Sequence, residues 1–277
     1  MKISVITVCY NSAPTIRNTF ESILNQKYSN IEYIVVDGSS SDKTVPLIKE
    51  YEPKFSGRMK WISEPDNGLY DAMNKGIKIA TGDVIGILNS DDYYISNDVL
   101  SCVVKAITKE NLDSCYGNLL YIKNNKPYRY WRSGKLKSFK LGWMPPHPAF
   151  FVKKSVYDKY GSFRLDCGVN ADYELMLRFL EVYNITTKWI DRIIVCMTAG
   201  GKSNNGFQSR IKAVNDDKIA WKVNNMKPYF FTLIIKRLSK IPQFFKAMYF
   251  YRKSKALNNV LAISTHSGLK LCMKNQT

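Results

Sequence analysis

The 277-residue sequence lacks the patterns that identify several common classes of protein. It has two histidines, and its six cysteines lie far apart without CxxC spacing, so we expect no zinc cluster and a reducing compartment. The first half contains neither G-x-G-x-x-G nor G-x-x-x-x-G-K-[ST], so it lacks the standard dinucleotide and P-loop cradles for phosphate. We expect no secretory leader, because Met1 to Val8 already alternates as a strand.

Acidic residues stop at Asp217, whereas lysine, arginine and aromatic residues continue beyond it. The formal net charge of +18 is therefore mainly a property of the C-terminal segment. Such a charge admits nucleic acid, an anionic membrane surface or a phosphorylated substrate as partner. The longest apolar run of this segment, Tyr229 to Ile235, is much shorter than the roughly 20 residues that span a bilayer.

Strand and helix patterns alternate from Met1 to about Leu120, which predicts a mainly parallel sheet with crossover helices. The predicted strands are 3–8, 31–36, a segment around Trp61, 84–88 and 114–121. We predict a first helix capped by Asn11 or Ser12, a second that begins near Thr44, and a third over 69–80 that Gly82 ends. A hairpin is predicted after residue 121.

Three carboxylate-bearing loops follow the predicted strands, at Asp37, at Asp66, and at Asp91 with Asp92. In open parallel sheets, ligands bind beyond the carboxyl ends of the strands. Three acids at this edge favour a shared polar ligand, although a single Asp there is usually a turn former or a cap. Adjacent carboxylates can hold Mg²⁺ or Mn²⁺, which would neutralise a diphosphate. The motif GILNSDDYY is thus either a turn or a metal site.

The second half offers two further candidates. Prolines around His147 exclude a regular helix and hold this histidine in an extended or turn conformation, where it is either structural or functional. Asp172 falls in the first turn of a predicted helix, where a capping acid is the simplest interpretation. The Gly/Ser/Asn-rich segment 198–210 is predicted to form a lid over phosphates.

Six motifs occur in order over residues 1 to 215: ISVITVCYNS, IVVDGSSSDKT, SEPDNGLYDAMNKGI, GILNSDD, PHPAFF and NADYELMLR. With them the chain resembles family-2 glycosyltransferases of the GT-A fold, especially bacterial enzymes that build O-antigen, capsule or colanic-acid repeats. The resemblance implies an α/β fold with a mainly parallel central sheet flanked by helices. It also implies a nucleotide-sugar-binding half (1–120), an acceptor-binding and catalytic half (121–217), and a basic amphipathic helical tail (218–277).

The resemblance also implies roles for individual residues. The residues that would hold the nucleotide are Thr7, Asn11, Asp37 on the uracil or ribose side, Asp66 and Asp91. Asp91 and Asp92 would hold Mn²⁺ or Mg²⁺; Asn89 stands where many members have Asp, which leaves the ligand set open between the two. Asp172 would be the general base, preceded by Ala171 instead of an acid, and His147 would lie beside the acceptor.

The implied reaction is an inverting transfer from a UDP-sugar to an undecaprenyl-diphosphate-linked saccharide, which gives a β-glycoside. We expect the basic tail to lie on the anionic cytoplasmic face of the cell membrane, as a peripheral protein would. The alternative is that the tail packs on the catalytic domain. The other functions considered are nucleic-acid binding, which explains the tail alone, a metal-dependent nucleotidyltransferase, and a noncatalytic nucleotide-sugar scaffold; we expect no nucleic-acid partner.

Overall fold

The computed structural model describes residues 1–199 and 207–248, without the side chains of 207–214. A central sheet of nine strands carries helices on both faces. The strands are β1 (Ile3–Cys9), β2 (Ile31–Asp37), β3 (Met59–Ser63), β4 (Val84–Ile87), β5 (Asp92–Tyr94), β6 (Ser114–Lys123), β7 (Lys126–Trp131), β8 (Phe150–Lys153) and β9 (Thr187–Thr198). The helices are α1 (Ile16–Leu24), α2 (Thr44–Tyr51), α3 (Leu69–Ile79), α4 (Val99–Lys109), α5 (Lys154–Tyr160), α6 (Ala171–Leu177), α7 (Phe207–Val223) and α8 (Thr232–Leu238). Residues 241–248 are also helical.

The N-terminal half of the sheet is parallel, in the order β3, β2, β1 and β4. β1 and β2 are buried at every position because their apolar runs face helices on both sides. The register pairs Cys9 with Asp37, and Asp37 with Ser63, so these three strands end at one level. The loops that follow them therefore meet at one edge of the sheet.

The C-terminal half of the sheet adds antiparallel pairings. β8 is antiparallel to β4 and β6, β9 runs parallel to β6, and β5 pairs antiparallel with β9. β7 forms the predicted hairpin with β6. Asn124 and Asn125 form its turn with φ values of 49° and 58°, the positive values that a tight two-residue hairpin turn requires.

Two predictions about helix ends are wrong. α1 begins after Thr15, and neither Asn11 nor Ser12 caps it with a side chain. α3 ends at Ile79 and is followed by Ala80 in an extended conformation, so Gly82 is not its C-terminal cap. A Cβ on Gly82 would lie 2.6 Å from the backbone nitrogen of Ser4, so this glycine is needed for close packing of the chain against β1.

The described part of the basic tail packs on the domain through α8. Thr232 Oγ1 donates a hydrogen bond to the carbonyl of Lys140 at 2.5 Å. Gly142 has a φ of +70°, and a Cβ there would lie 2.5 Å from the backbone nitrogen of Lys236 in α8. Part of 218–248 thus packs on the domain while many of its apolar side chains stay exposed, and 249–277 lie outside the described residues. No helix among the described residues is long and apolar enough to cross a membrane.

The predicted boundaries at 120 and 217 fall within elements of this structure. β6 runs through position 120, and its pairings join the two halves of one sheet. α7 runs through position 217 and packs against α6.

Candidate active site

The loops after β1 and β2 are tied together by Asn11. Its left-handed backbone, with a φ of 50°, places the side-chain oxygen where it accepts hydrogen bonds from the backbone nitrogens of Ser41 (2.9 Å) and Asp42 (3.3 Å). Its own backbone nitrogen donates to Ser40 Oγ at 2.8 Å. Asn11 therefore positions the rim of the predicted nucleotide pocket by cross-linking two loops.

Asp37 is fully buried at the end of β2. One carboxylate oxygen accepts hydrogen bonds from the backbone nitrogen of Ser40 (2.9 Å) and from Ser63 Oγ (2.7 Å). The other accepts from Ser40 Oγ (2.5 Å) and Cys9 Sγ (3.5 Å). These donors hold the carboxylate in place and satisfy much of its hydrogen-bonding capacity, which leaves little of it for a ligand. The predicted contact of Asp37 with a nucleotide stays a prediction.

Asp66 lies over the start of the β2–α2 loop. Its Oδ2 sits 2.4 Å from the position that a Cβ on Gly38 would occupy, and the ring of Tyr10 lies 3.5 Å from the same point. Its Oδ1 accepts a hydrogen bond from the backbone nitrogen of Gly68 at 2.8 Å. Gly38 thus leaves room for a carboxylate and a half-exposed aromatic ring at one place, which suits a base or ribose.

Thr7 is placed differently from the other predicted nucleotide residues. Its side chain is fully buried and points to the face of β1 that packs against Tyr33. The pKa of the Tyr33 phenol is raised well above its ordinary value by burial. The structure therefore places the Thr7 hydroxyl in the core beneath the pocket, and its predicted contact with the nucleotide is untested.

Asp91 and Asp92 lie between β4, which belongs to the parallel half of the sheet, and β5, which begins at Asp92. Asp92 is fully buried and Asp91 partly so. Burial raises the pKa of both carboxyls, and the charge of Asp91 raises that of Asp92 further. Asn89 Nδ2 donates to Asp92 Oδ2 at 3.2 Å, and Thr198 Oγ1 donates to the carbonyl of Asp91 at 2.8 Å.

Two oxygens in this turn accept no hydrogen bond from any described residue. They are Asn89 Oδ1 and Asp92 Oδ1, and both are buried. An unpaired buried carboxylate oxygen is costly unless a cation or donor meets it. Together with the partly buried carboxylate of Asp91, they supply the oxygen donors that Mg²⁺ or Mn²⁺ prefers, and such ions need only one or two carboxylates when a diphosphate completes the shell. The residues present therefore fit a divalent cation.

The motif loops touch one another through Ser12. Its backbone nitrogen donates to Thr44 Oγ1 at 2.8 Å, and its hydroxyl accepts from Ser90 Oγ at 2.8 Å. The NSDD turn therefore lies against the loops that Asn11 and Asp37 hold. The structure brings these predicted nucleotide and metal residues together.

Asp172 lies in the first turn of α6. Its Oδ1 accepts a hydrogen bond from the backbone nitrogen of Tyr173 (2.8 Å). It also lies 3.2 Å from Tyr70 Oη, whose single proton is shared with the nearer carbonyl of Val169 at 2.9 Å. Its Oδ2 has no hydrogen-bond partner among the described residues. Tyr70 belongs to the helix that follows the Asp66 loop, so this phenol links the predicted donor pocket to the predicted base. Burial, and then the charge of Asp172, raises the pKa of Tyr70 well above its ordinary value.

Two other observations place residues near Asp172. His147 is buried in a short turn before β8, its ring 5.4 Å from that of Phe163, and burial lowers its pKa while the charge of Asp172 opposes that shift. The pKa of Tyr121 is raised by burial and further by the charges of both Asp92 and Asp172. Tyr121 therefore lies near both Asp92, the candidate metal ligand, and Asp172, the candidate base.

Several positioning residues carry no signal in the sequence. Asp216 Oδ2 accepts from the backbone nitrogen of Val169 at 2.9 Å, and Asp217 Oδ1 accepts from Asn170 Nδ2 at 2.9 Å, so α7 holds the segment before Asp172. The glycine at 168, with a φ of +59°, lets Asp216 approach. Neither acid belongs to a recognisable motif, since each partner lies 47 residues away.

The family model described as "Glycosyl transferase family 2" matches residues 4–167, more than half of the chain. The chain belongs to glycosyl transferase family 2. Over 186 residues it is 36% identical to the "Uncharacterized glycosyltransferase MT1564" of Mycobacterium tuberculosis (strain CDC 1551 / Oshkosh), an alignment that covers 64% of this chain and 68% of the relative.

Two further comparisons are informative. The chain is 36% identical over 124 residues to WfgD of Escherichia coli, named UDP-Glc:alpha-D-GlcNAc-diphosphoundecaprenol beta-1,3-glucosyltransferase, which covers 44% of this chain and 47% of WfgD. The mannosyltransferase PcManGT from Pyrobaculum calidifontis, solved with GDP-Man and Mn²⁺, has a TM-score of 0.61 at 17% identity and covers 98% of this chain and 78% of that one. The α/β, GT-A fold predicted for this family-2 glycosyltransferase is confirmed.

Proposed function

We propose that this family-2 glycosyltransferase is a metal-dependent, inverting enzyme. It transfers a hexose or N-acetylhexosamine from a UDP-sugar to a lipid-diphosphate-linked saccharide in the synthesis of a surface polysaccharide. The observation that carries this proposal is the carboxylate of Asp172, which has one oxygen fixed by Tyr70 and one without a partner among the described residues, near the acidic turn of Asp91 and Asp92. WfgD, by its name, uses UDP-Glc and a diphosphoundecaprenol acceptor, which supports this choice of donor and acceptor.

The chemistry follows from these positions. Asp172 Oδ2 accepts the proton of the acceptor hydroxyl while that oxygen forms a bond to the anomeric carbon of the donor. The bond from this carbon to the diphosphate breaks at the same time, and its electron pair leaves with UDP. Tyr70 holds the carboxylate in place by its hydrogen bond. Attack from the face opposite to UDP converts an α-linked donor into a β-glycoside.

Asp91 and Asp92, with the oxygen of Asn89, would hold Mn²⁺ or Mg²⁺. When bound, the cation neutralises the charge that develops on the departing diphosphate. PcManGT was solved with GDP-Man and Mn²⁺, which supports a divalent ion in this fold. The protein's own contribution is to desolvate the turn and to fix its backbone, since Thr19 Oγ1 donates to the main-chain carbonyl of Asp92 at 2.7 Å.

The described tail supports a location on the membrane surface. Its exposed apolar residues are Tyr229, Phe230, Ile234, Ile235, Leu238, Ile241, Phe244, Phe245 and Met248. Lysines and arginines are interspersed among them, as in helices that lie in the interface of an anionic bilayer. A peripheral enzyme on the cytoplasmic leaflet would meet an undecaprenyl-diphosphate-linked acceptor there.

UDP release from a panel of UDP-sugars tests the proposal. The reaction contains a synthetic GlcNAc- or GalNAc-diphosphate-lipid and either Mn²⁺ or EDTA. We expect release that depends on the acceptor with one donor and stops with EDTA. Release of pyrophosphate instead of UDP would identify a nucleotidyltransferase, and donor binding without any turnover would identify a noncatalytic scaffold.

A further inference from the structure

A cationic cavity lies between the β7 segment and the described tail, apart from the loops that hold the predicted nucleotide site. Its volume is about 360 Å³. Trp131 and Trp143 form part of its wall, and none of the described residues that line it is acidic. The lining residues that carry positive charge are Arg132, Lys137, Lys236, Lys240 and Lys246.

Two of these cations are already paired and three are not. Arg132 contacts Asp191 at 2.5 Å, and Lys236 contacts Asp217 at 2.5 Å. Among the described residues, no carboxylate comes within ion-pair distance of the remaining three, which are Lys137, Lys240 and Lys246. The cavity therefore holds positive charge that no described carboxylate balances.

Crowding of cations is strongest around Lys240. Its side chain is largely exposed, but partial desolvation and then the charges of Lys236 and Arg129 lower its pKa to about 8, with Arg237 adding to the effect and Asp217 opposing it. Arg129 lies in β7 with its guanidinium 3.8 Å above the ring of Tyr121, and its Nε is buried without a described partner. Bringing several cations together costs free energy unless an anion joins them.

The cavity lies next to the proposed base. Lys236 Nζ sits 3.3 Å from the ring centroid of Tyr173, the residue after Asp172, and the charge of Asp172 raises the pKa of Lys236 against the stronger lowering by burial. The cavity is also lined by Ile235, which belongs to the exposed apolar residues of the tail. Through Lys236 the cavity thus borders the helix that carries Asp172, and through Ile235 it borders the surface proposed to meet lipid.

We propose that this cavity binds the diphosphate of the lipid-linked acceptor. This inference rests on the proposed function and specifies how its acceptor is recognised. The lysine ammonium groups hold the phosphate oxygens, the saccharide extends toward Asp172, and the lipid leaves along the apolar surface of the tail. The donor diphosphate has a separate place at Asp91 and Asp92. The cavity is large enough for a diphosphate and part of a sugar.

The test measures binding instead of turnover. The probe is a water-soluble GlcNAc-diphosphate with a short alkyl chain, titrated by calorimetry into wild type, Lys240→Gln, Lys240→Arg and Lys227→Gln without donor. Lys227 is an exposed lysine of the same tail that does not line the cavity, so it controls for general loss of charge. We expect Lys240→Gln to weaken binding about tenfold, with Lys240→Arg and Lys227→Gln close to wild type.

Three comparisons identify the ligand. The matched alkyl glycoside without phosphate should bind at least tenfold more weakly to wild type. Wild-type affinity for the diphosphate should fall as the pH rises through about 8, where free Lys240 loses its proton, and Lys240→Arg should remove that fall. UDP-sugar affinity should not change in Lys240→Gln.

Equal diphosphate binding by wild type and Lys240→Gln would overturn the inference. Weaker UDP-sugar binding in that variant would assign the cavity to the donor, and displacement of the probe by a single-stranded oligonucleotide would assign it to nucleic acid. If Lys240-dependent binding is found but no UDP-sugar is turned over, the cavity is retained as a diphosphate site and the proposed function is what fails.

Discussion

Asp37, Asp92 and Asp172 differ in the hydrogen bonds that the protein gives to their carboxylates. Asp37 receives four, from Ser40, Ser63 and Cys9, and is thereby fixed. Asp92 keeps one buried oxygen without a described donor. Asp172 has one oxygen bonded and the other without a described partner. Asp37 thus holds a loop, and the other two carboxylates are available for the roles proposed for them, which are to ligate a cation and to accept a proton.

The structure predicts opposite effects of Asp92→Asn on stability and on metal binding. Without metal, at a pH above the raised pKa of Asp92, the variant should melt at a higher temperature than wild type, because it replaces a buried carboxylate that has an unpaired oxygen with a neutral amide. Saturating Mn²⁺, at about 100 times its dissociation constant, should stabilise wild type by about 2.7 kcal/mol, which corresponds to a rise of roughly 5–10 °C. Asp92→Asn should lose most of that rise. Thermal melting with and without Mn²⁺ measures both.

The control for this experiment is Asp158→Asn, since Asp158 lies in a surface ion pair with Lys154. It should keep the full response to Mn²⁺. A full response in Asp92→Asn as well would remove Asp92 from the ligand set.

At the scale of elements, the strands and the first helices follow directly from periodicity. Ile31 to Asp37 is an apolar run with an acid at its end, and α3 buries Ala72, Met73, Gly76 and Ile77 on one face as its spacing predicts. Local rules failed where a contact distant in sequence decides the conformation. The close approach of Ser4 requires a glycine at position 82, and the close approach of α8 requires one at position 142. No pattern of neighbouring residues contains either contact.

The residues of the candidate site likewise fall into those that a local pattern predicts and those that it does not. Asp37, Asp66, Asp91, Asp92 and Asp172 could be found because they lie in motifs at strand ends or at a helix start. The residues that position them could not, since Tyr70 reaches Asp172 over 102 positions. Such pairs depend on how whole elements pack, and packing is not encoded in a short window.

Gly142→Ala tests the docking of the tail. The added Cβ meets the backbone of α8, so we expect faster hydrogen exchange in peptides that cover 229–248 and a loss of more than about 2 kcal/mol in the free energy of unfolding. Gly134→Ala is the matched control, because Gly134 has the same φ of +70° with no atom within 4 Å of its Cβ position. It should cost only about 1–2 kcal/mol and leave exchange in 229–248 unchanged. Equal exchange in both variants would contradict docking through Gly142.

At the scale of the whole molecule, charge and apolar surface coincide in the tail. The chain carries a net charge of +18, and Phe230, whose side chain is 93% exposed, projects from the part of the tail that precedes α8. A soluble domain gains little by exposing so large a side chain, whereas a membrane surface would bury it. In the proposed function, the sheet and the tail together would present the reaction centre to a lipid-bound substrate.

Phe230→Ser tests this arrangement by vesicle sedimentation. Burying a phenylalanine in lipid contributes about 1.5–3 kcal/mol, so partitioning onto phosphatidylglycerol vesicles should fall roughly 10- to 100-fold. The control Tyr183→Ser removes an exposed aromatic side chain outside the tail and should partition like wild type. Similar losses in both variants, or equal binding to neutral phosphatidylcholine vesicles, would contradict a specific role of the tail.

The most direct test of the central claim is the transfer reaction of wild type against Asp172→Asn, with donor affinity measured in parallel by calorimetry. The account predicts acceptor-dependent transfer with a β-linked product by proton NMR, a fall in kcat of about 10²- to 10⁴-fold in the variant, and unchanged donor affinity. Full activity in Asp172→Asn, or an α-linked product from an α-linked donor, would contradict it.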